Sequence, residues 1–236
     1  MTTTAPPFPR AGLYRAFVAR IETLCAEDPG VRVALRKGLR RDLDDVRALH
    51  RIVAAWLPEN CPEAEERAFY AVAAMIADRP RHTFHTADDD GDAVPVQAPA
   101  ADSEPVPAAT ASEPAAGGTP RRARRDSLGA SYARAVLAQA GRGLREDTAE
   151  ARLNLLTRQS LPGMHRHLPG NIRHLRDAGA AIDFAVLLDD LAGWPHRSKT
   201  IARRWLQDYY RTRHAPLDAA ARTRDRKETD LPTDTD

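Results

Sequence analysis

The sequence predicts an all-α protein built as two small helical bundles joined by a disordered linker. Apolar residues recur at three- and four-residue steps through both halves of the chain, the spacing of one helical face. No alternating run is long enough for a sheet. Between the halves, residues 86–120 hold six prolines, only three large aliphatic residues (Val94, Val96, Val106) and no Lys or Arg. Such a stretch cannot bury enough surface to offset its ordering entropy.

The elements follow in order. Residues 1–11 read as a disordered N-terminus, and 12–85 as an N-terminal helical domain. Leu13, Phe17, Ile21 and Leu24 form its first stripe, and Val31, Leu35 and Leu39 its second. Val46, Leu49, Ile52 and Trp56 make a third behind the cap Asp44, ended by Pro58. Pro62 suits the first turn of a fourth helix, where Glu63, Glu65 and Glu66 face the positive end of the dipole. That helix carries Phe69, Val72 and Ile76 and stops before Pro80.

Residues 86–125 form the acidic linker, closed by Arg121, Arg122, Arg124 and Arg125. A basic C-terminal bundle spans 126–215. Ser127 caps a helix bearing Leu128, Tyr132 and Val136; Asp147 or Thr148 opens the next, with Leu153 and Leu156 inside. "MHRHLPGNIRHLRDAG" sets Met164, Leu168, Ile172 and Leu175 on one face, and Pro169-Gly170 is expected to kink or split that helix. Gly179 ends it. Asp183 caps "FAVLLDDLAGW", and "TIARRWLQDYYR" closes the bundle with Ile201, Trp205 and Tyr209. Residues 216–236 read as a disordered charged tail.

The 236 residues, 42% hydrophobic, suffice for one moderate core or two small ones. The formal net charge of +2 hides a segregated distribution: +2 over 1–85, −7 over 86–120, +9 over 121–215 and −2 over 216–236. A strongly basic unit points to a polyanionic partner. Only Lys37, Lys199 and Lys227 are lysines; arginine suits phosphate through its planar fork of donors. Two cysteines, Cys25 and Cys61, make no disulfide framework and fit a reduced cytoplasmic compartment. The N-terminus lacks the pattern of a signal peptide, and the longest apolar run, "AVAAMIA", is too short to cross a bilayer.

Catalytic and metal chemistry find little support. His165 and His167 of "HRH" fall on different sides of a helix. The adjacent acids of "DLDD" (42–45) and "LLDDL" (187–191) are explained by caps and solvated faces. There is no phosphate loop, nucleophile elbow or HExxH. No catalytic residue, metal site or cofactor is assigned.

The cations are another matter. In "VRVALRKGLRR", Arg32, Arg36 and Arg40 recur at steps of four with Lys37 and Arg41 beside them, and no acid between Arg32 and Arg41 offers local pairing. An uninterrupted cationic stripe favours phosphate. Arg166, Arg173 and Arg176 mark one later helix, and Arg203, Arg204 and Arg211 the last.

"SLGASYARAV" resembles the small subunit (CasB family) of the type I-E CRISPR surveillance complex, Cascade. "ALRKGL", "AFYAVAAMIADRPRH", the long stretch "EARLNLLTRQSLPGMHRHLPGNIRHLRDAGAAIDFAVLLDDLAGW" and "ARRWLQDYYR" carry the likeness across both halves. The acidic insertion at 86–125 and Pro169-Gly170 depart from the family's pattern. The resemblance implies a non-enzymatic, cytoplasmic helical subunit, present as a pair of copies. It would contact other Cascade subunits, hold the crRNA–target DNA hybrid and steady the displaced strand. It carries over Arg36, Lys37, Arg152, Arg158 and Arg173, with Arg176 following by proximity. Two other readings stay open. A helix-turn-helix regulator would need a recognition helix with base-reading residues at its start, and none is clear. A protein-interaction scaffold would instead pair its arginines with acidic neighbours.

Overall fold

The computed structural model describes residues 10–39, 41, 47–78, 126–138 and 143–229, the side chains of 48 and 217–229 excepted. The expected linker 86–125 with its four arginines, the cap Asp44, Arg40 and the acids 42–45 lie outside the described residues. Eight α-helices and no strand occur among those described: α1 (Arg10–Glu27), α2 (Pro29–Arg36), α3 (Arg47–Val53), α4 (Glu63–Ala77), α5 (Leu128–Leu137), α6 (Glu146–Thr157), α7 (Leu161–Asp177) and α8 (Phe184–Thr229). A 3₁₀ turn, Ala54–Trp56, follows α3. The all-α class stands.

Two of the expected caps open their helices. Ser127 Oγ accepts the Ala130 amide at 3.4 Å, and Asp183 Oδ1 accepts those of Ala185 and Val186 at 3.1 and 3.0 Å. Gly179 ends α7 with φ +75, a conformation only glycine adopts freely. The helix α6 begins at Glu146, one residue before the expected opener, so Asp147 sits in its first turn.

Both halves contribute to one contiguous core. Helix α8 makes this possible by packing against α1 and α4 of the first half and α5, α6 and α7 of the second. Phe17 meets Phe69 edge to face at 4.8 Å, and Tyr14 gives its hydroxyl proton to the buried Glu65 at 2.6 Å. In the second half Tyr132 donates to Asn171 at 2.7 Å. A Cβ at Gly129 would lie 1.8 Å from the Trp205 carbonyl oxygen, so only glycine lets α5 approach the α8 backbone this closely. That is the physical content of the "SLG" turn.

Two prolines behave differently from each other. Helix α7 runs unbroken from Leu161 to Asp177 with Pro169 inside, so of the expected kink or split the split does not occur. Leu168, Pro169 and Ile172 are all buried, and Asn171 bonds back to the His167 carbonyl at 2.9 Å; burial of this face outweighs the bond that the proline removes. Helix α8 carries helical backbone past Pro195 without interruption. Yet Trp205 Nε1 donates to Asp190 Oδ2 at 2.7 Å, and a straight helix would set these residues roughly 22 Å apart along its axis. The helix therefore doubles back near Pro195, giving a first limb (184–194) and a second (196–229). Trp194 and Trp205 meet across the bend with their rings tilted, 5.3 Å between centroids. Beyond Pro216, helical backbone continues to Thr229, into the segment expected to lack structure.

No helix among the described residues is long and apolar enough to cross a membrane.

Candidate nucleic-acid interface

Helix α2 begins because Asp28 caps it, accepting the Gly30 and Val31 amides at 2.7 and 3.1 Å, with Pro29 preset in the first turn. It ends at Arg36, and Lys37–Leu39 turn away. Arg32 and Arg36 therefore share α2 and Lys37 follows its end, while Arg40 of the expected stripe lies outside the described residues. Arg32 is half-buried, and its charge partly opposes the burial that pushes the Cys25 thiol up to about 11. Lys37 is exposed at the end of α2.

A long-range partner organises what remains. Asp78 closes the C-terminus of α4, and its side chain is only 7% exposed. Arg36 Nε lies 3.4 Å from Asp78 Oδ1. From α7, Arg173 places Nη2 at 2.7 Å and Nε at 3.2 Å from Oδ2. Arg176 donates from Nη1 to the Met75 carbonyl at 2.7 Å, and its guanidinium lies 4.9 Å from the centre of the Phe184 ring. Three guanidinium groups from α2 and α7 thus converge on the negative end of α4 and the Asp78 carboxylate, with Asp177 also acting on Arg173. The Arg36 and Arg173 side chains remain 50% and 59% exposed. Their remaining donors are available to a phosphate.

Arg152 on α6 lies instead near His174, away from the face of α7 that carries Arg173 and Arg176. Burial first, then the Arg152 charge, lowers the affinity of His174 for its proton. Arg158 does not join them: it follows the end of α6, while Arg173 stands about 18 Å along α7 from that turn. The structure therefore brings together Arg36, Arg173 and Arg176, and not Arg152. Arg158 lies apart, and Arg40 is outside the described residues.

Asp78 went unnoticed in the sequence, although one signal marks it. An acid at a helix C-terminus opposes the dipole, and a cationic partner from elsewhere removes that conflict. Asp190 was equally hidden inside "LLDDL": it is buried, paired with Arg204 and bonded to Trp205. Among the described residues no group of three His, Cys, Asp or Glu side chains could hold a metal ion. His165 of the "HRH" motif is held down to about 4, chiefly by burial and further by Arg67.

The comparisons with known proteins agree with this architecture. Residues 31–210 match the family of CRISPR-associated protein Cse2. One similar solved structure is a chain of a CRISPR RNA-guided surveillance complex, 34% identical, with a TM-score of 0.69 over 90% of this chain and 99% of that one. Another comes from a CRISPR RNA-guided surveillance complex in a pre-nicking state, 35% identical, TM-score 0.68, covering 89% and 98% of the two chains. Comparison with curated sequences gives no significant match. With most of its length matched and with these identities, the chain belongs to the Cse2 family of CRISPR-associated proteins.

Proposed function

We propose that this protein is a non-catalytic, cytoplasmic subunit of a type I-E CRISPR surveillance complex. There it stands as a pair of copies beside the other subunits. Its helix-borne arginines steady the crRNA–target DNA hybrid and the displaced strand. The observation that carries the proposal is the convergence of Arg36, Arg173 and Arg176 around Asp78, a cationic surface held by the fold rather than by a loop. Exchange of a DNA duplex for a guide hybrid is nearly balanced in energy, so a few added backbone contacts tip it. A surface serving any target must ignore sequence, and guanidinium groups aimed at phosphates do so.

Two measurements test this. Tagged protein expressed with its neighbouring genes should co-purify with a guide RNA and partner proteins. The isolated protein should bind DNA of unrelated sequences equally and weakly, with affinity falling steeply as salt rises. A flat salt response would remove the electrostatic mechanism, and a sequence-specific footprint would favour a regulator.

A further inference from the structure

We infer that the second limb of α8 is an exchangeable arm. Helix α8 opens at Pro195 and seats that limb on the body of a second copy of this chain, which returns its own arm in the same way. The inference rests on the bend of α8 and not on the nucleic-acid reading above, so the two fail separately.

The turn is the first ground. Antiparallel helices are ordinarily joined by about two to five loop residues. Helical backbone instead runs through the whole of Phe184–Thr229, and no loop residue separates the two limbs. A hinge without slack invites exchange. Opening it refolds little, because the residues on both sides are already helical. Once open, the 46 residues of α8 span about 69 Å, which carries the arm clear of its own body.

The seat is the second ground, and it names the occupant. The arm buries Ile201, Trp205 and Tyr209. Trp205 meets Trp194, donates to Asp190, and sets its backbone carbonyl 1.8 Å from where a Cβ on Gly129 would stand. Further along, Tyr210 donates to Glu150, and Arg213 Nη2 to Glu146 Oε2 at 2.8 Å. A seat cut this closely to one sequence admits an identical arm. Each of these contacts joins the arm to the rest of the chain, so each re-forms between two copies on exchange. The Arg197–Asp189 pair across the hinge, 3.7 Å long and about half exposed, is lost, and such pairs hold little.

Pro195 sets the balance. In the folded-back form it stands at the start of the second limb, where its missing N–H is no loss. In an opened α8 it stands mid-helix, where it removes a hydrogen bond and presses on the Leu191 carbonyl. The proline therefore favours the single chain, and exchange needs high concentration.

The test refolds the full-length protein from urea at low and high concentration and measures mass by size-exclusion chromatography with light scattering. Wild type should give a dimer fraction that grows with refolding concentration and persists on dilution, since release requires buried side chains to leave the core. Pro195→Ala should raise the dimer-to-monomer ratio about a hundredfold. A short Gly-Ser insertion after Trp194 supplies slack and should return both proteins to monomer. A dimer that survives the insertion is held by surface contacts and overturns the inference. Wild type that refolds as monomer at every concentration overturns it too, as does folded Pro195→Ala with no more dimer than wild type. Should Pro195→Ala fail to fold, wild type with and without the insertion decides alone.

Discussion

Asp78 and Asp190 are both nearly buried carboxylates that hold arginines, yet they do different work. Asp190 faces one guanidinium, Arg204, and one indole N–H, Trp205, and these match its charge and fix the bend of α8. Asp78 faces two guanidinium groups with a third beside it, and so leaves cationic capacity unspent at the surface. The number of arginines gathered per acid, more than the number of arginines in a helix, separates a structural ion pair from a binding surface.

Removing each acid should sharpen that contrast. Asp190→Ala strands a partly buried guanidinium and a buried indole donor, and should cost about 3 kcal/mol of unfolding free energy by urea denaturation. The DNA affinity of the folded fraction should not change. Asp78→Ala should cost only about 1 kcal/mol, because its partners are half-exposed, and should tighten DNA binding a few-fold at low salt as a competing anion leaves. Two variants that shift stability alike and leave binding untouched would break the comparison.

A smaller effect belongs to His165. Its folded-state pKa of about 4 lies below the unfolded value of about 6.5, so the unfolded chain takes up the proton first. Stability is therefore full above about pH 6.5 and is lost as pH falls toward 4, by an amount of the order of 2 kcal/mol. The difference between wild type and His165→Gln in denaturation midpoints from pH 7 to 4 isolates it; parallel curves would contradict the buried neutral imidazole. The smallest effect is expected from deleting residues 90–118, which carry most of the acidic charge of the insertion. Helicity by circular dichroism and assembly should persist, and DNA binding should tighten slightly at low salt.

The helices were legible because their apolar period shows in sequence, and several add a side-chain cap. Met164, Leu168, Ile172 and Leu175 are buried as their spacing required, as are Ile201, Trp205 and Tyr209. Local rules allowed a split at Pro169, where packing against the core keeps α7 whole, and read 184–194 and 200–211 as separate segments, where helical backbone continues as the chain doubles back near Pro195. The candidate site was half legible. Arg36 and Arg173 stand out as cations, but the acid between them lies 42 residues from one and 95 from the other along the chain. No window of sequence shows that pairing. Conversely, of the stripe from Arg32 to Arg40, helix α2 carries Arg32 and Arg36 and stops there.

The central claim is that cations held on helices, rather than the cluster preceding α5, carry the contact with target DNA. Retention of target DNA by assembled complexes at about physiological salt, where exposed charges beyond ~8 Å are largely screened, tests it directly. In one variant Arg36, Lys37, Arg152, Arg158 and Arg173 become alanine, with Asp78→Asn added so that no buried carboxylate is left unpaired. In the other, Arg121, Arg122, Arg124 and Arg125 become alanine. The first should weaken retention about a hundredfold and the second only about two- to threefold. Greater damage from the second variant would contradict the account and make 121–125 the binding edge.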